Sequence, residues 1–169
     1  MKTAKALEYA VGYYELGLPV LALNEISKIP PAHRHSFPVL QIHSTILIGQ
    51  KKWRQALPVL ETLCHRYPLV PANFLNRSVC LHQMHRVNEA LEKLLASPKY
   101  LATWGLYHFH LACYECELGR LEDAKRFLRN AVTLDPRWRQ QALHEKSLQP
   151  LRRFAEKHLF PPNDGFGKN

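Results

Sequence analysis

Cys113-Tyr114-Glu115-Cys116 is a C-x-x-C pair, with His108 and His110 a few residues before it. On a helix, His110, Cys113 and Cys116 share one face, and the two sulfurs lie one turn apart. Thiolate and imidazole at that spacing can hold zinc, and a low-pKa thiol at a helix start is a nucleophile. The local pattern argues against both. The pair falls inside a helical pattern rather than at its start, and the sequence has no second C-x-x-C. Cys64, Cys80, Cys113 and Cys116 are therefore expected to be reduced thiols packed between helices, with no metal and no cofactor. His33 and His35 lie in a proline-flanked turn and are expected to be solvated. Lys51, Lys52 and Arg54 flank Trp53, a cation–aromatic grouping found on nucleic-acid surfaces. Trp53 falls on a repeat-packing column described below, so it is expected to be buried. No G-x-S-x-G, P-loop, H-E-x-x-H or glycine-rich dinucleotide turn occurs, and no enzymatic activity is expected.

The charge balance bounds the partner class. The net charge of +9 gives a basic chain, which favours acidic partners, nucleic acid or anionic surfaces. From Arg120 onward, eleven Lys/Arg stand against six Asp/Glu. Lys125, Arg126, Arg129, Arg137, Arg139, Arg152 and Arg153 are the residues that would form one basic patch, the basis of an alternative nucleic-acid or anionic-partner reading. No apolar run approaches the ~20 residues a membrane-spanning helix requires. The opening MKTAKALEYAVGYYELG lacks the continuous apolar centre of a signal peptide, so a cytoplasmic location is expected.

The elements that position these residues follow from an internal repeat. Ala22, Ala56, Ala90 and Ala124 recur at a strict 34-residue interval. In the same register stand small residues (Ala10, Ser44, Ser78, Ala112), large apolar ones (Ile26, Leu60, Leu94, Leu128) and a further column (Pro19, Trp53, Val87, Leu121). Small residues belong where helices cross closely, and large ones fill the space between neighbouring repeats. Helical spacing predicts helices over 3–16, 19–28, 37–49, 53–66, 71–84, 87–96, 101–118 and 121–133, and no sheet. Four repeats are expected, at about 3–36, 37–70, 71–104 and 105–136. After Pro136, Leu148, Leu151, Phe154 and Ala155 make an apolar stripe, read as capping helices over 137–160 that cover the last repeat. The turn-rich end, 161–169, is expected to be disordered.

These columns resemble the tetratricopeptide repeat (TPR) family, in which two antiparallel helices fill 34 residues. The fourth repeat is the nearest to its pattern, with Leu111-Ala112, Gly119, Ala124, Leu128, Ala131 and Pro136. The turn glycine is kept at Gly17 and Gly119 but is Lys51 and His85 between them. The resemblance implies an all-α, right-handed superhelical array of helix pairs with C-terminal capping helices. It also implies a non-catalytic scaffold binding a peptide or protein along the first helices of the repeats. The family's groove offsets fall on Leu7, Val11, Tyr14, Gln41, Thr45, Ile48, Leu75, Val79, His82, Phe109, Cys113 and Cys116. That lining is mostly apolar and lacks the cations of a carboxylate clamp, so an amphipathic helix or apolar segment is the expected occupant. The protein's own C-terminal helix is a second candidate for the groove. A further copy of the chain is a third candidate partner, because unsealed solenoid ends can stack.

Overall fold

The computed structural model describes residues 2–159; the expected tail, 161–169, and residue 160 of the cap lie outside them. The described residues form ten α-helices and no strand. These are α1 (Lys2–Glu15), α2 (Pro19–Ser27), α3 (Phe37–Gly49), α4 (Trp53–Arg66), α5 (Pro71–Gln83), α6 (Val87–Leu95), α7 (Gly105–Glu117), α8 (Leu121–Leu134), α9 (Trp138–His144) and α10 (Arg152–His158). Prolines stand in the first turn of α2, α3 and α5, where a missing N–H costs no helical bond. The observed ends differ from the spacing-based ranges by a residue or so, except at α7. A single helix over 101–118 is not formed. Lys99–Thr103 is a 3-10 turn, Trp104 is extended (φ −104°, ψ 122°), and α7 starts at Gly105.

The chain divides into two compact units, Met1–Arg86 and Val87–Asn169. In the first, α1 pairs with α2, and α4 packs against both α3 and α5. One cluster joins Ala6, Ala10, Ala22, Ile26, Ile29, Val39 and Ile46; a second joins Leu40, Leu47, Ala56, Leu60, Leu63 and Cys80. In the second unit, α7 and α8 form the most extensive helix pair, and α6 also packs on α7. The marker alanines Ala22, Ala56, Ala90 and Ala124 are all fully buried, as are Leu60, Leu94 and Leu128 of the large apolar column. Methyl-sized side chains let the two helices of a pair approach closely, which is why the interval is strict there.

The column Pro19, Trp53, Val87, Leu121 behaves otherwise. The first three are half-buried and Leu121 is exposed, so this column marks helix starts at the surface rather than core. Trp53 is accordingly not buried as the repeat register suggested. At the first residue of α4 it is half-buried, packed against the edge of the second core cluster.

Candidate functional site

Nine of the twelve expected groove residues lie on α1, α3 and α5 of the first unit. Leu7, Val11 and Tyr14 on α1 are half-buried, as are Ile48 on α3 and Val79 and His82 on α5. Gln41 and Thr45 are exposed, while Leu75 is buried and offers a partner nothing. Leu7 and Tyr14 pack on the first core cluster, and the Tyr14 ring lies close enough to α3 that a Cβ on Gly49 would approach its hydroxyl to 2.9 Å. Gly49 thus holds a place where the aromatic ring crosses a helix backbone.

In the second unit the corresponding positions, Phe109, Cys113 and Cys116, are buried. The Phe109 ring meets the Trp138 indole at 4.7 Å between centroids. The 3-10 turn Lys146–Leu151 packs along α7, and the Ser147 hydroxyl donates to the Glu117 carboxylate at 2.5 Å. Leu148, Leu151 and Ala155 of the expected capping stripe are fully buried, and Phe154 is half-buried. The chain's own C-terminal segment therefore covers this face of α7. Trp138 is the residue that sequence reasoning missed. It follows Pro136 outside every repeat column, and its ring contact with Phe109 marks it as part of the cover.

The four thiols are buried, and burial favours their protonated form. Burial raises the Cys64 and Cys80 pKa to about 11. Burial, together with the nearby Glu145 and Glu117 carboxylates, pushes Cys113 higher still, and burial also raises Cys116. All four are free and protonated at neutral pH. His108 does not join them: its Nε2 lies 2.9 Å from the Ala102 carbonyl and its ring stacks on Phe127. His110 stacks on Tyr114. Among the described residues, no three His, Cys, Asp or Glu side chains gather where they could hold a metal ion.

The C-terminal cations are largely paired. Lys125 bonds Glu122 at 2.6 Å, Arg126 bonds Asp123 at 2.7 Å, Arg137 bonds Asp135 at 2.8 Å and Arg152 bonds Glu156 at 3.2 Å. Arg137 donates to both Asp135 oxygens, and these bonds hold the Asp135 pKa below the ordinary carboxylate value. Arg129 lies over the Phe154 ring at 4.9 Å, Arg139 is half-buried, and Arg153 is exposed. Exposed pairs of this kind add little stability but neutralise each other's field. The seven cations are thus not one uncompensated patch.

No protein-family model and no curated protein matches this chain. Solved structures do. MamA from Desulfovibrio magneticus RS-1 (residues 41 to the end) superposes with a TM-score of 0.75 at 17% identity, covering 93% of this chain and 90% of that one. A second MamA structure, MSR-1, gives 0.70 at 19% identity over 78% and 76%. TTC0263, a thermophilic TPR protein of Thermus thermophilus, gives 0.64 at 18% identity over 90% and 82%. The chain has the tetratricopeptide-repeat fold. Within that fold the helix-pair register, the buried alanines and the turn positions take their ordinary structural meaning. At these identities the likeness extends to the fold and not to a partner. Among the described residues no helix is long and apolar enough to cross a membrane.

Proposed function

We propose that this protein is a non-catalytic interaction scaffold that binds a peptide or helix of a protein partner along α1, α3 and α5 of its first unit. One observation carries the reading. On α7, the family's groove positions are covered by an apolar segment of the chain itself, anchored by Trp138 on Phe109. The equivalent positions on the first unit keep Leu7, Val11, Tyr14, Ile48 and Val79 half-buried, with Gln41 and Thr45 exposed beside them. An apolar stripe with a polar margin suits an amphipathic helix or an extended apolar segment, whose burial supplies roughly 25 cal/mol per Å². Four free, buried cysteines suit a reducing compartment, which agrees with a cytoplasmic location. The paired C-terminal cations give the nucleic-acid reading no comparable support.

Site-specific photo-crosslinking in the native host tests it. A crosslinker at Val11, Thr45 or Val79 is expected to capture one common protein, and a crosslinker at Asn130 on α8 is not. Leu7→Asp with Ile48→Asp should abolish capture while the helical circular-dichroism signal is retained. Capture that survives this double substitution in a folded protein, or that is equal from Asn130, overturns the proposal.

A further inference from the structure

The four inter-helix turns of the repeats place one residue each in the left-handed region, at an interval of 34. The φ angles are 72° at Gly17, 55° at Lys51, 60° at His85 and 77° at Gly119. Glycine takes this conformation freely, whereas Lys and His are strained by their Cβ atoms. Lys51 and His85 therefore keep side chains at positions where glycine would be more comfortable. Strain of this kind persists where the surrounding structure enforces it, and it collects at functional sites.

Both strained residues line one surface cavity of the first unit, of about 540 Å³. It lies between the α3–α4 turn and the end of α5. Lys51, Lys52 and Arg54 bring three cations to it, Arg86 beside them already has an interaction of its own, and no Asp or Glu is among the lining residues. Trp53 and Met84, both half-buried, add apolar surface. The fourteen-residue α4 starts here, so the positive end of its dipole reinforces the field. The distribution of charge points the same way: ten Lys/Arg stand against four Asp/Glu in residues 1–86, and thirteen against ten in residues 87–169. The strongest charge excess is on the first unit, not at the C-terminal end.

We infer that this cavity is a docking site for an acidic peptide segment with an apolar anchor, carried by a protein partner. Its volume falls in the range that holds a few side chains, well beyond a single phosphate ion. An aromatic or aliphatic side chain covers Trp53 and Met84, while flanking carboxylates meet Lys51, Lys52 and Arg54 as charge-assisted hydrogen bonds. Single-stranded nucleic acid is the poorer fit, because its binding relies on successive aromatic platforms and this cavity offers one. Lys51 and His85 retain side chains in the left-handed turns because those side chains contact the ligand. The site shares no residue with the stripe on α1, α3 and α5, and either can fail without the other.

The full-length protein is titrated into three fluorescein-labelled probes by anisotropy: the peptide Glu-Glu-Phe-Leu-Glu-Glu, its Gln-for-Glu counterpart, and a twelve-nucleotide oligothymidine. The acidic peptide is expected to bind at low salt and to weaken as salt rises, with the Gln peptide about tenfold weaker or more. Oligothymidine is expected to bind more weakly than the acidic peptide. Lys51→Gly and His85→Gly decide whether the strain serves binding. Each should raise the melting temperature by about 2–4 °C, because the left-handed strain is relieved. Each should also bind the acidic peptide about fivefold more weakly, and Arg54→Gln should weaken it without the thermal gain. Absent binding of the acidic peptide, equal binding of the two peptides, tighter binding of oligothymidine, or unchanged affinity in the glycine and Arg54→Gln variants each overturns the proposal. Because both glycine variants relieve strain, loss of binding in them is not confused with loss of fold.

Discussion

Single side chains in this protein are governed mainly by burial. His43 on α3 is half-buried and borders a cavity of about 330 Å³ with Leu23, Ile26, Val39 and Leu47. Burial lowers its pKa from the ordinary 6.5. The unfolded chain then takes up a proton at His43 as pH falls through about 6.5, while the folded chain does not until lower pH. In that window the unfolded state binds more protons, so stability falls as pH drops and levels off below the folded pKa. Thermal melts at pH about 7.5 and about 5.5 check this: His43→Leu should lose less melting temperature between the two than the native chain. The same burial governs the C-x-x-C pair. Its packing role was already expected from its place inside a helical pattern; what the sequence did not show is the part of the effect that comes from Glu145, far along the chain from Cys113.

Helices and turns follow the sequence closely where a local rule decides them. Proline starts and turn positions are set within one or two helical turns and the alanine interval by the neighbouring helix of the pair, and α1 to α6 and α8 form where the spacing places them. The start of α7 is an exception with a tertiary cause. A Cβ on Gly105 would meet Trp138 Nε1 at 2.6 Å and the Ala131 carbonyl oxygen at 3.1 Å. Glycine is required there by a side chain 33 positions later, and no local pattern reveals that. Gly105→Ala should therefore destabilise the second unit by about 1–3 kcal/mol, the usual cost of overpacking. Denaturant unfolding followed by tryptophan fluorescence measures it. Gly17→Ala would be unfavourable for another reason: the space is open, and the cost lies in the positive φ alone.

At the scale of the whole molecule, each unit buries residues of the repeat columns that the sequence already shows. Leu60→Ala and Leu128→Ala remove fully buried side chains from the first and second units and should each cost about 2–5 kcal/mol. Repeat arrays add local terms. Hydrogen exchange should consequently show the greater loss of protection in the unit that carries the substitution, and equal loss in both would contradict such local additivity. By itself the sequence determined the all-α class, the helix-pair register and the buried alanine and large apolar columns, though not the surface position of the Trp53 column, because a 34-residue period is written in residues that pack within one helix pair. Two features were decided only by the tertiary structure: the seating of Trp138 on Phe109, which anchors the expected cap, and the meeting of Lys51 with His85 at one cavity. These depend on which turns and segments come together in space, and charge counts or spacing along the chain carry no information about that.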